Sequence, residues 1–202
     1  VRRWEAAAAM AVLGVPEHRI VGLPDGGLDG RDDQGTALVG ALIDEVRPDT
    51  VLTFGPDGST FHPDHVAVHR WVTAAWARRG RPGRLLYATA TADHLARFGD
   101  DYERWGAYMS DARPIGVPAD ALAVHAVLGG RHLDRKLTAL RALWTQTRPV
   151  LDVVSPETYA EQVAEEAFVD ARDRVDRAAA FGFPDALRTG VGWWASVGGS
   201  RQ

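Results

Sequence analysis

Apolar residues in the chain recur in two alternating rhythms. Trp4, Ala8, Ala11 and Val12 follow helical spacing, and Gly14 supplies a stop. The run "RIVGL" (Arg19 to Leu23) is short and apolar, suited to a buried strand, and the Gly- and Asp-rich "PDGGLDGRDDQG" after it reads as a loop. Leu38, Leu42 and Val46 predict a helix over "TALVGALIDEV", with Pro48 beyond its end. Then come a strand, "TVLTF" (Thr50 to Phe54), a loop, "GPDGSTFHP", a helix from Asp64 to Arg79 and a third strand, "RLLYATA" (Arg84 to Ala90). Wholly apolar strands alternating with helices predict an α/β domain of three layers, a mainly parallel sheet covered on both faces. Ligands of such sheets bind beyond the carboxyl ends of the strands, where the Asp25 and His62 loops both fall.

From Thr91 the pattern weakens. A strand is expected over Ala121 to Leu128, and helices over Leu133 to Trp144 and Pro156 to Asp170. The domain is taken as 1–190, with 191–202 a flexible tail. No internal repeat or low-complexity block interrupts it.

Composition narrows the chemistry. With 202 residues, 46% hydrophobic, one substantial core is within reach. A net charge of -4 with Arg, Asp and Glu interspersed gives no basic stripe, so nucleic acid is not an expected partner. The count of Cys is 0, so any transition metal must be held by His and carboxylate, and a cytoplasmic location fits. No run approaches the roughly 20 apolar residues of a membrane span. Val1 opens the chain without Met or a capping residue, part-way into a helix, so a segment upstream is expected to be missing.

The chemistry gathers in "FHPDHVAVH". Pro63 suits a first helical turn, which would present His62 and His65 near the helix start with Asp64 between them. On residue chemistry alone two readings stay open. The first is a helix cap with a solvated His65, the commoner meaning of so short a motif. In the second the imidazoles serve a metal and a neighbouring carboxylate steadies one ring. His69 extends the pattern but is expected on a solvated helix face. Asp57 is expected to do turn chemistry, and Asp25 fits an Asp-Gly turn as well as a ligand contact. Trp4, Trp71 and Trp144 are expected in the core, whereas Trp193 and Trp194 have no core explanation.

The segment "VRPDTVLTFGPDGSTFHPDHVAVHRWVTAAW" resembles the second motif of the PIG-L/LmbE family of zinc-dependent N-deacetylases in strand, loop and helix together. "VLGVPEHRIVGLPDGGL" is similar to the preceding family segment, "RKLTALRALWTQT" resembles its later Lys-rich helix, and "FPDALRTGV" its closing one. The resemblance implies a Rossmann-like fold and hydrolysis of an N-acetyl or N-acyl group from an amino sugar or glycoconjugate. It implies zinc, or another divalent metal, held by His65. His62 would stabilise the oxyanion, Asp64 would hold the His62 ring and favour its charged form, and Asp25 would bind a sugar hydroxyl. The family's first motif, His-Pro-Asp-Asp-Glu, which supplies two ligands and the base, has no counterpart in this sequence. The sheet is therefore expected to lack its first strand and this chain alone to be inactive. Thr60 stands where some relatives carry Tyr, and Leu143 where His is common. A homo-oligomer is compatible with this reading. The alternative is a non-catalytic α/β carbohydrate-binding or interaction module derived from the same family.

Overall fold

A computed structural model describes residues 1–172; the expected tail, Trp193, Trp194 and the closing "FPDALRTGV" lie outside the described residues. The described part forms two compact units, one of residues 1–24 and 124–166 and the other from Asp25 to Ala123 and onward from Ala167.

The second unit holds two of the strands the pattern predicts, β1 and β2. β1 (Thr50–Phe54) runs parallel to β2 (Arg84–Thr89), with Thr50 opposite Arg84 and Phe54 opposite Ala88. On its other side β2 pairs antiparallel with the end of β4 (Glu165–Asp170), from Leu86 opposite Asp170 to Thr89 opposite Ala167. With β3 (Val124–Val127) the strand order is β1-β2-β4-β3, so the sheet is mixed and the fold is α/β.

Strand β2 buries Leu85, Leu86 and Tyr87, as its apolar run predicts. Leu52 on β1, in contrast, is 59% exposed, because among the described residues β1 has a strand on one side only. "RIVGL" is not a strand. Ile20 and Val21 are 44% and 51% exposed, and no strand among the described residues pairs with them, so an apolar run alone does not make a ladder.

Helix α2 (Asp32–Val46) begins a turn earlier than the apolar spacing suggests, at Asp32 and Asp33, whose charges suit the positive end of the helix dipole. It packs on α3 (Pro63–Arg78) through small residues, not through the Leu38, Leu42, Val46 stripe. Val46 is 62% exposed, while Gly35, Thr36, Gly40 and Ile43 are buried. A Cβ built on Gly35 would lie 1.8 Å from Trp71 Cδ2, so the Trp71 indole occupies the space a side chain would need. The same ring donates from Nε1 to Asp32 Oδ1 at 2.9 Å, and Arg70 Nη2 reaches Asp32 and Asp29 at 3.1 and 2.8 Å. Ile43, Val72, Trp76, Leu85 and Tyr87 form the core of this unit. The expectation of a core position thus holds for Trp71, 3% exposed. α4 (Ala92–Arg104), capped by the Thr91 side chain on His94 N at 3.0 Å, has no counterpart in the sequence reading, for it buries only Phe98.

In the first unit α1 (Arg2–Leu13) packs on α5 (Gly130–Ala142). Trp4 is 78% exposed and Trp144, which opens α6 (Trp144–Leu151), is 51% exposed, so neither is a core residue here. Glu5 instead anchors the start of α6, accepting from Thr145 N at 2.8 Å and Thr145 Oγ1 at 2.7 Å, bonds that lower its pKa. α7 (Pro156–Ala164) stops short of the predicted Asp170: the next six residues are β4, in which Ala167 and Val169 are buried at every second position. The last four residues of the predicted helix, Ala167 to Asp170, are instead paired with β2. Among the described residues no helix is long and apolar enough to cross a membrane.

Gly35→Ala is expected to cost about 1–3 kcal/mol by overpacking against Trp71, with Tm falling by roughly 2–4 °C for each kcal/mol. Gly99, inside α4 with nothing within 4 Å of its missing Cβ, is the control. Gly99→Ala should stabilise by about 0.5–1 kcal/mol. Thermal melts in which both substitutions behave alike would refute the close α2–α3 contact.

Candidate active site

The loop from β1 to α3 gives the site its geometry. Gly55 O accepts from Gly58 N at 2.9 Å and Asp57 O from Phe61 N at 2.7 Å, folding the loop back on itself. Gly58, Ser59 and Phe61 all take positive φ, of 60°, 64° and 61°. Gly58 has a packing reason as well, since its Cβ would lie 2.8 Å from His65 Cβ. Asp57 accepts from Ser59 N at 2.9 Å, the turn role expected of it.

His62 is the N-cap of α3, and Pro63 follows in the first turn. Its Nδ1 accepts the N–H of Asp64 at 3.1 Å, so Nδ1 carries the lone pair and, in the neutral ring, Nε2 carries the hydrogen. His65 is the reverse case. Its Nδ1 lies 3.0 Å from Gly58 O, and since a carbonyl only accepts, Nδ1 is the donor and the lone pair is at Nε2. The His65 ring stacks on Phe54, centroids 4.2 Å apart and planes within 5°, and lies 4.9 Å from the His62 ring.

Asp64, 7% exposed, does not hold the His62 ring as the resemblance implies. Its carboxylate accepts from Gly26 N at 2.6 Å and from Leu28 N at 3.0 Å, while its own N–H fills His62 Nδ1. Both carboxylate oxygens are thus committed to the Asp25 loop. The turn Asp25–Gly26 sits beside the helix start, with Asp25 exposed at its rim. His69 is not on a solvated face: it is 2% exposed, 2.9 Å from Phe54 O through Nδ1, and its ring is 4.7 Å from that of Tyr87. Its role is to tie α3 to the end of β1.

Sequence reasoning missed several members of the site. The Gly26 and Leu28 amides and the Gly58 carbonyl are backbone groups with no residue-type signature, although the glycines flag the turns that expose them. Tyr108 and Met109 arrive from a distant segment: Met109 N donates to Thr60 O at 2.8 Å, and the Tyr108 and Phe61 rings meet edge to face at 6.3 Å. Burial raises the Tyr108 pKa.

For zinc, His65 offers what a ligand would need, a lone pair on Nε2 with Nδ1–H fixed by a carbonyl. Among the described residues no group of three or more His, Asp or Glu could hold a metal ion, so His65 would need ligands from elsewhere to complete a zinc shell.

The family model described as PIG-L, GlcNAc-PI de-N-acetylase, matches residues 1–76, which include the Asp25 loop, His62, Asp64 and His65. The chain belongs to the PIG-L family. A 1D-myo-inositol 2-acetamido-2-deoxy-alpha-D-glucopyranoside deacetylase from Mycolicibacterium vanbaalenii is 35% identical over 166 residues, covering 72% of this chain and 58% of the relative. A protein named deacetylase 2 for the same glycoside, from Catenulispora acidiphila, is 30% identical over 179 residues, covering 72% and 59%. The chain therefore spans under two thirds of the length of these PIG-L relatives. Among solved structures, the conserved protein TT1542 from Thermus thermophilus is similar in fold, with a TM-score of 0.54 at 20% identity, covering 86% of this chain and 74% of that one.

Asp57 offers a test of the PIG-L site loop. Burial raises its pKa against the opposing pull of the Ser59 amide, and it is 5% exposed. A raised folded-state pKa means that the folded state binds the proton more tightly than the unfolded chain does. Stability is then greatest below the ordinary carboxylate range and declines as pH rises through the folded-state value. Asp57→Asn, which keeps an acceptor for Ser59 N, should raise Tm at neutral pH, and the gain should shrink toward about pH 4. A gain that grows on acidification would contradict the buried-carboxylate account.

Proposed function

We propose that this PIG-L chain contributes His62, His65 and the Asp25 loop to a zinc-dependent hydrolase that removes the N-acetyl group of an amino sugar. The names of its relatives favour a glucosaminide of inositol as substrate. The observation that carries the reading is the opposed protonation of two neighbouring imidazoles. Hydrolysis of an amide needs an acidified water and a donor for the oxyanion of the tetrahedral intermediate. The lone pair at His65 Nε2 suits a metal ligand, and the hydrogen at His62 Nε2 suits the oxyanion donor. A bound zinc would supply the acidified water. His62 would act as a donor through Nε2, its orientation set by the cap of α3, and Asp25 stands at the rim where a sugar hydroxyl would approach.

A non-catalytic sugar-binding module is the second reading, favoured by the finding that no group of three metal-ligating side chains forms among the described residues. Acetate release from N-acetylglucosaminyl-inositol by the natural full-length protein, before and after zinc is stripped and restored, separates the two. The hydrolase reading requires zinc-dependent release; sugar binding with no acetate formed would leave the module.

Residue roles follow from the tautomers. His65→Ala should lose bound zinc and turnover together. His62→Ala should retain zinc, measured by metal analysis, and lose about 10²–10³ in kcat, the usual effect of removing one oxyanion donor. Near-normal kcat for His62→Ala would remove it from the chemistry.

A further inference from the structure

The loop that carries Asp25 is fastened to α3 at both ends. At its start, the two oxygens of the buried Asp64 carboxylate take one backbone N–H each, Gly26 at 2.6 Å and Leu28 at 3.0 Å. Gly26 takes a φ of 73°, in the left-handed region where glycine costs least. At its far end Arg70, also on α3, reaches Asp29 at 2.8 Å and Asp32 at 3.1 Å. Between these ties the Gly27 and Asp29 amides donate to no protein group among the described residues. The loop is therefore shaped by two side chains of the same helix that presents His62 and His65.

We infer that Asp64 is a positioning residue for the sugar-binding loop, setting substrate affinity by holding Asp25 and its turn against the start of α3, instead of tuning the His62 ring. This rests on the amino-sugar reading of the site. A carboxylate that accepts two N–H bonds has charge-assisted partners of roughly twice the ordinary strength, and replacing it by an amide turns one acceptor into a donor facing a donor. The loop should then lose its shape while the Asp64 backbone N–H, unchanged, still fixes His62. The consequence falls on binding, and the chemical step is spared.

Amide hydrogen exchange in the wild-type protein reads the latch with no substrate. Gly26 and Leu28 should exchange about tenfold or more slowly than Gly27 and Asp29, the protection expected of a hydrogen bond to a charged acceptor. Equal rates at all four would overturn the inference, and this measurement stands even where a variant fails to fold. In Asp64→Asn the difference should vanish while α3 amides stay protected. Titration with N-acetylglucosamine, followed by amide shifts, should then show binding weakened by about tenfold. With an acetylated substrate KM should rise by a similar factor, with kcat within about twofold of wild type, whereas His62→Ala changes kcat. Unchanged sugar binding, or a fall in kcat at constant KM, would overturn the positioning role and leave the hydrolase reading intact. A wild-type protein with the predicted protection that neither binds nor deacetylates an amino sugar would overturn that reading and, with it, the sugar role of the latch.

Discussion

One hydrogen bond, from the N–H of Asp64 to Nδ1 of His62, fixes more of this site than any other contact. It satisfies an amide that the first turn of a helix leaves without an internal partner. It leaves Nε2 as the ring's hydrogen donor. And it frees both oxygens of Asp64 to organise a loop that lies far earlier in the chain. Helix capping and the orientation of the His62 ring are here the same interaction, so neither can be changed without the other.

Such a cap has value only if the helix end stays in place, and the packing of α3 explains why it does. Trp71 fills the space left by Gly35 on α2 and hydrogen-bonds to Asp32. Trp76 donates to Pro82 O at 2.8 Å and is 3% exposed. The buried His69 ties the helix to the end of β1 at Phe54, the residue whose ring also stacks on His65. A helix anchored along its length to α2, to β1 and to a turn presents its first residues as a rigid edge. Preorganised donors of that kind are what an oxyanion requires.

Much of this is legible in the sequence because the informative residues are local. Pro63 within "FHPDH" announces a helix start, and the apolar runs of β1 and β2 announce strands that pair in parallel. What is not legible is non-local. Sequence proximity assigns Asp64 to its neighbour His62, but its carboxylate turns to the amides of Gly26 and Leu28, which no residue type advertises. The spacing of Leu38, Leu42 and Val46 identifies a helix and the wrong face of it, because Gly35 and Gly40 pack closest where they have no side chain to register as apolar. His69 reads as one more polar residue of a solvated face and lies buried. Pro156 correctly marks a helix, but Ala167 to Asp170, expected within it, pair with β2, a partner far away in the sequence.

The strain in the loop completes the argument. Ser59 and Phe61 hold left-handed backbone at φ of 64° and 61°, which for residues with a Cβ costs about 1–2 kcal/mol each. Such conformations persist only where the surroundings over-determine them. Phe61, 8% exposed, is held by the Tyr108 ring and by its own N–H to Asp57 O, and Thr60 by Met109 N. The buried Asp57 carboxylate adds a second unfavourable term in the same turn. A relaxed loop would not bring the Gly58 carbonyl to His65 Nδ1, and without that bond nothing would select the tautomer with its lone pair on Nε2. The strained turn on one side of α3 and the helix cap on the other thus prepare two adjacent imidazoles in opposite forms, one to accept and one to donate.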